Sequence, residues 1–146
     1  MKILVVNGPN LNMLGKREEK HYGTKTLEEI NVSLMQIASK HNIELVFFQS
    51  NHEGGLIDFI QQEAQNADGI LINPGALTHY GYSLRDSLES AHIPIVEVHL
   101  SNILEREPFR KIDVLNGVVL ERIMGHKEQS YTIGLKKLIA ALEGKK

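Results

Sequence analysis

Short runs rich in β-branched residues alternate along this chain with stretches whose apolar residues recur at helical spacing, and that alternation leaves few architectures open. "KILVV", "IELVFF", "GILI" and "PIVEVHL" each have the length and composition of a buried strand, and "GVVLERIM" predicts a fifth. Between them lie helical periods. In "TLEEINVSLMQIASKH", Leu27, Ile30, Leu34 and Ile37 share a face, and Thr26 with Glu29 has the form of a capping box. "GLIDFIQQEA" places Leu56, Ile57 and Ile60 together, and "SLRDSLESA" turns Leu84, Leu88 and Ala91 inward. "YTIGLKKLIAAL" closes the series with Tyr131, Leu135, Leu138 and Leu142 about 3.6 residues apart. Strands alternating with helices through short connections imply a parallel sheet covered on both faces. The expectation is an α/β fold, a flavodoxin-like doubly wound five-stranded parallel sheet, and 146 residues suit a single domain over 1–146.

Composition removes several functions. A net charge of −2 gives no electrostatic case for nucleic acid or an anionic membrane. The absence of cysteine removes disulfides, thiolate metal sites and cysteine nucleophiles, and fits a cytoplasmic protein. "ILVV" is too short for a signal-peptide core, and no stretch approaches the roughly 20 apolar residues of a membrane span. No histidine pair has a metal-site spacing such as HExxH, and neither GxGxxG nor GxxxxGK[ST] occurs, so no metal or cofactor is expected.

Doubly wound sheets bind ligands beyond the carboxyl ends of their strands, where strand order reverses. Asn7, Gln49 with Ser50, Asn73 and His99 end the first four strands there. On the fourth, Glu97 and His99 are two apart and share a face, with Val96 and Val98 on the other. A carboxylate beside an imidazole fixes its tautomer and favours its charged form, which suits a general acid; the same spacing also suits an ordinary polar strand end. "NPGALTHYGYS" turns sharply at Pro74 and Gly75 and sets Thr78 and His79 before a helix, as an anion site or a plain capped turn. In "HLSNILEREPFRK", Arg106 and Arg110 would share a face if helical, although Pro108 argues against the helix. Such a pair is a carboxylate clamp or a solvated basic face. The opening loop "NGPNLNMLGKREEKHYG" carries Arg17 and Tyr22. Tyrosine, with an ordinary pKa of about 10, is a poor base at neutral pH unless a cation favours the phenolate; lowering it by three units takes about 4 kcal/mol.

Taken together, "NGPNLNMLGKRE…YG", "FQSNHEG", "INPGALTHY…LRD", "EVHLSN" and "REPFRK" resemble, in order and spacing, the type II 3-dehydroquinate dehydratases over nearly the whole chain. The resemblance implies a hydro-lyase that converts 3-dehydroquinate to 3-dehydroshikimate by anti elimination through an enolate, without metal, cofactor or Schiff base. It implies Tyr22 as proton acceptor, His99 as proton donor, Arg17 favouring the tyrosinate and Glu97 orienting His99. Asn73, His79, Leu100, Ser101 and Arg110 would hold the substrate, and Asp86 would serve the site across a subunit contact in a homododecamer built from trimers. Three features depart from that pattern: Gly81 and Asp113 stand where serine is common, and "GHKEQSY" replaces a glycine-rich approach to the last helix. The competing readings are a non-catalytic flavodoxin-like module and another small-acid lyase on the same scaffold. A receiver needs an acidic cluster after strand one and an aspartate after strand three, where this chain has "NGPN" and "NPG". A flavin carrier wants aromatic stacking, and this chain has no tryptophan.

Overall fold

Strands buried on both faces read as near-continuous apolar runs, and the helices that cover them need one apolar stripe each. The computed structural model, which describes residues 1–144, arranges the chain that way. The elements are β1 (Lys2–Asn7), α1 (Glu19–Tyr22), α2 (Leu27–Ser39), β2 (Glu44–Gln49), α3 (Glu53–Glu63), β3 (Gly69–Asn73), α4 (Tyr82–Ala91), β4 (Ile95–His99), β5 (Glu121–Met124) and α5 (Gln129–Gly144). The five strands form one parallel sheet in the order β2-β1-β3-β4-β5. β1 therefore has β2 on one side and β3 on the other, and strand order reverses at β1.

Alternate strand residues feed two cores. Ile3, Val5, Leu71, Val96 and Val98 pack with α2 and α5, while Leu4, Val6, Ile70, Ile72 and Ile95 pack with α3 and α4. The helix faces expected from periodicity are the buried ones, with Ile37, Ile57 and Ala91 half-buried at their margins. The capping box at α2 is formed: the Glu29 N–H donates to Thr26 Oγ1 at 3.2 Å and the Thr26 N–H to Glu29 Oε1 at 3.4 Å. Among the described residues no helix is long and apolar enough to cross a membrane.

The fifth strand is shorter than "GVVLERIM" predicts. Gly117, at φ +89°, turns the chain, and the N–H groups of Val118 and Val119 bond back to the Leu115 carbonyl. Val118 and Val119 pack on the α3/α4 core from this turn instead of pairing in the sheet, and strand pairing starts at Glu121.

Gly134 shows how tightly α5 sits. A β-carbon there would collide with Val98 Cγ1 and approach Leu71 Cδ1 to 3.0 Å. Overpacking a core costs about 1–3 kcal/mol, against a helix-propensity gain of up to about 1 kcal/mol for alanine over glycine. Gly134→Ala should therefore lower stability by about 1–2 kcal/mol, read from the denaturant midpoint at unchanged slope. An unmoved or raised midpoint would mean the α5–sheet contact has slack.

Candidate active site

The loops leaving β1 and β3 meet backbone to backbone. Asn7 and Asn73 are register partners, and the Gly8 N–H donates to the Asn73 carbonyl at 2.8 Å. A β-carbon on Gly8 would lie 2.5 Å from the Pro74 carbonyl oxygen, so the approach requires glycine. Beneath it, the fully buried Tyr131 of α5 joins the two strand ends. Its hydroxyl donates to Asn7 Oδ1 at 2.6 Å and accepts from Asn73 Nδ2 at 2.9 Å. Burial pushes the Tyr131 phenol well above its ordinary pKa, so it stays neutral and serves as a strut. Asn73 Oδ1 accepts the Gly75 N–H at 3.1 Å. The amide is thereby fixed, with one Nδ2 hydrogen left for a ligand.

Beyond these strand ends lies a small cleft of about 120 Å³, room for one compact ring rather than a dinucleotide. It is lined by the β1 loop, the turn after β3 and the segment after β4, at the reversal point where the topology places a ligand. The opening loop folds over it. Leu11 and Leu14 are buried in the α2/α5 core and anchor the loop, and the Asn10 N–H is held by Asn51 Oδ1 at 2.9 Å. Gln49 and Ser50, at the end of β2, tether this loop from behind: Gln49 Nε2 donates to the Gly8 carbonyl at 3.2 Å and the Ser50 N–H to the Asn7 carbonyl at 3.0 Å.

Tyr22, at the end of α1, is buried in the cleft between two guanidinium groups. Arg17 stacks over its ring, with the guanidinium carbon 3.6 Å from the ring centroid. Arg106 reaches the phenol oxygen itself, with Nη1 donating at 2.8 Å and standing 3.3 Å from Ser101 Oγ. Sequence spacing had paired the tyrosine with Arg17; the contact at the oxygen belongs to a residue 84 positions away. Burial draws the Arg17 guanidinium below its usual range, a shift that Tyr22 opposes and Arg106 and Arg110 reinforce.

His99 ends β4 and faces the cleft. Its Nε2 lies 2.5 Å from Glu97 Oε2, so the carboxylate accepts the Nε2 proton and Nδ1 is the nitrogen left to a ligand. Glu97 is wholly buried and also accepts from Thr78 Oγ1 at 2.8 Å. His79 Nδ1 donates to the Ile112 carbonyl at 2.7 Å, which leaves Nε2 as an acceptor toward the cleft. Burial, with the charges of His99 and Arg110, holds His79 below its ordinary pKa despite that bond, so it is neutral at pH 7. Arg110 lines the cleft with Nε bound to Glu107 Oε2 at 2.7 Å, leaving its terminal nitrogens for an anion.

The structure thus gathers Arg17, Tyr22, Asn73, His79, His99, Leu100, Ser101 and Arg110 around one cleft, with Glu97 directly behind His99. Asp86 is exposed on α4 and does not line it. Arg106 and Arg110 both reach the cleft, but not from one helix face: they leave separate short 3-10 turns, Ile103–Glu105 and Pro108–Lys111, broken as Pro108 requires. Arg106 stood in the sequence as one half of an undecided pair, and nothing local predicts its bond to Tyr22.

The chain matches the family described as dehydroquinase class II over residues 1–139. A 3-dehydroquinate dehydratase of Roseiflexus castenholzii is 53% identical over 139 residues, covering 95% of this chain and 88% of that protein. Another, from Bacillus subtilis, is 45% identical over 141 residues, covering 97% and 95%. The crystal structure of the type II dehydroquinase from Butyrivibrio crossotus superposes with a TM-score of 0.91 at 48% identity, covering 95% of this chain and 97% of that one. On the family match over residues 1–139 and these full-length relatives, this chain belongs to the class II dehydroquinase family.

Proposed function

We propose that the chain dehydrates 3-dehydroquinate to 3-dehydroshikimate, a step of the shikimate pathway to aromatic amino acids. The observation that carries this reading is a phenol oxygen held by one guanidinium and capped by another, in the same cleft as an imidazole backed by a buried carboxylate. The substrate has a ketone, a hydrogen on the adjacent carbon, and a hydroxyl on the carbon that bears the carboxylate. Tyr22, as phenolate beside Arg106 and Arg17, takes the hydrogen from carbon. The enolate that forms is stabilised by donors already in place, among them the free Nδ2 hydrogen of Asn73. Doubly protonated His99 then gives its Nδ1 proton to the departing hydroxyl, which leaves as water, and the enone is conjugated. Arg110 and the Leu100–Ser101 segment receive the carboxylate, and His79 Nε2 accepts from a ring hydroxyl.

Exposed Asp86 fits a role at a neighbouring copy's site, in a homododecamer built from trimers, and the cysteine-free chain fits the cytoplasm. The opening loop acts as a flap that admits substrate and then excludes water.

Purified protein supplied with 3-dehydroquinate should develop the absorbance of a conjugated enone; no absorbance would sink the reading and favour another small-acid lyase. Among the described residues no lysine lines the cleft. Borohydride added with substrate should therefore leave activity intact, and irreversible loss with a lysine adduct in the mass spectrum would mean Schiff-base chemistry.

A further inference from the structure

A cluster behind the cleft has no part in the chemistry above. Thr78 of the turn after β3, Asp113 of the loop that precedes β5 and Arg122 of β5 meet there, and none of them lines the cleft. Arg122 is the register partner of Glu97 across the β4–β5 pairing, and its Nη1 is ion-paired with Asp113 Oδ2. Asp113 Oδ1 accepts the Leu115 N–H at 2.8 Å and lies 3.0 Å from Thr78 Oγ1. That hydroxyl is also 2.8 Å from Glu97 Oε2. A hydroxyl has one proton to donate, and here two carboxylates face it.

Asp113 does not need that proton. Leu115 satisfies one of its oxygens and Arg122 the other. Glu97 does need it: the side chain is wholly buried and its Oε1 has no partner among the described residues, so Thr78 and His99 supply the donors its ionised form has. We propose that Asp113 and Arg122 are positioning residues for the reaction: by satisfying each other they leave the Thr78 proton to Glu97, and the ionised Glu97 then holds the His99 ring in place with its proton available to the cleft. The Asp113 segment also reaches the second histidine, because the Ile112 carbonyl fixes His79. Burial opposes the charge on Asp113, but the bonds from the Leu115 N–H and from Arg122 outweigh it and hold its pKa below the ordinary value, so it is ionised at neutral pH.

The sign of the effect follows from charge. His99 is faced by Glu97 from its own strand, by His79 from the turn after β3, by Arg106 and Arg110 from the segment after β4, and by Arg17 and Tyr22 from the flap. Asp113 and Arg122 stand behind Glu97 as a pair of zero net charge. Asp113→Asn leaves Arg122 uncompensated, which disfavours an imidazolium. Arg122→Gln leaves Asp113 uncompensated, which favours it.

This inference rests on His99 as the acid of the proposed dehydration, so its test reads the ring without substrate. Histidine-selective 15N labelling of the full chain, with His99→Gln to assign the signal, gives the ratio of charged to neutral His99 at fixed pH. That ratio should fall severalfold in D113N, rise in R122Q, and return toward the parent in D113N/R122Q. In steady state, kcat should fall in D113N with KM little changed, because neither residue touches the cleft. An unmoved ratio, or displacement to the same side in both single variants, overturns the inference. If the parent turns over 3-dehydroquinate while the ratio stays fixed, only this inference fails; if it does not turn over, the ratios still decide the coupling.

Discussion

Tyr22→Phe is expected to lower kcat by about 10³-fold while the protein stays folded, since positioned acid–base groups typically contribute about 10²–10⁴-fold. The substitution deletes one oxygen. The ring keeps its place under Arg17, where the 3.6 Å stacking contact involves the ring face and not the hydroxyl. Arg106 loses the acceptor at 2.8 Å and keeps Ser101 Oγ at 3.3 Å, so the stability cost should be about 1 kcal/mol, the net worth of a typical hydrogen bond. Arg110 and His79, the groups proposed to hold the substrate, are untouched, and KM should change much less than kcat. That split matters, because a residue that only binds substrate would raise KM and spare kcat. Steady-state kinetics with a circular-dichroism melt decides the matter. Turnover near that of the parent would remove Tyr22 from the mechanism and leave the two guanidiniums as simple anion receptors.

What could be read from the chain and what could not divide along a physical line. Local periodicity reports burial, so the sheet, its helices and the strand ends at Asn7, Asn73 and His99 were all legible. The Glu97–His99 pair was legible for the same reason: two-residue spacing on a strand is a statement about one face, and the ring does meet the carboxylate. Contacts made across the fold leave no local trace. Arg106 reaches Tyr22 over 84 positions, and Asp113 meets Arg122 only because the chain turns at Gly117 between them. Tyr131 sits at helical spacing with Leu135 and Leu138 and reads as core; it is core, yet its hydroxyl ties Asn7 to Asn73 over 124 and 58 positions. Hydropathy registers the ring and says nothing of the oxygen. Val118 and Val119 failed as strand residues because β-branching marks a preference for burial, and a turn that packs on the core satisfies it equally well.

His99→Gln is expected to affect catalysis and stability together, each with its own signature. Glutamine can still donate to Glu97 from its amide, but it cannot carry a transferable proton, so kcat should fall by about 10²–10⁴-fold as expected for loss of a general acid. The structural consequence is distinct. In the parent, Glu97 is wholly buried between the Thr78 hydroxyl and an imidazole that can bear positive charge. In the variant the imidazole's charge is gone, and breaking a buried ion pair by removing one partner costs about 3–5 kcal/mol where the remaining charge is left without a counter-ion. The chain can avoid that cost by folding with Glu97 protonated. Native Glu97 would then hold a proton that the unfolded chain, with an ordinary glutamate pKa of about 4.3, has released by neutral pH. Where the native state binds more protons than the unfolded one, stability falls as pH rises. The melting temperature of His99→Gln should accordingly drop relative to the parent on going from pH 5 toward pH 8. The double variant E97Q/H99Q, which has no carboxyl group to charge, should recover stability at pH 8 and recover no activity. If the single variant melts in parallel with the parent across that range, Glu97 does not depend on His99 for its charge, and the imidazolium would need another source of support.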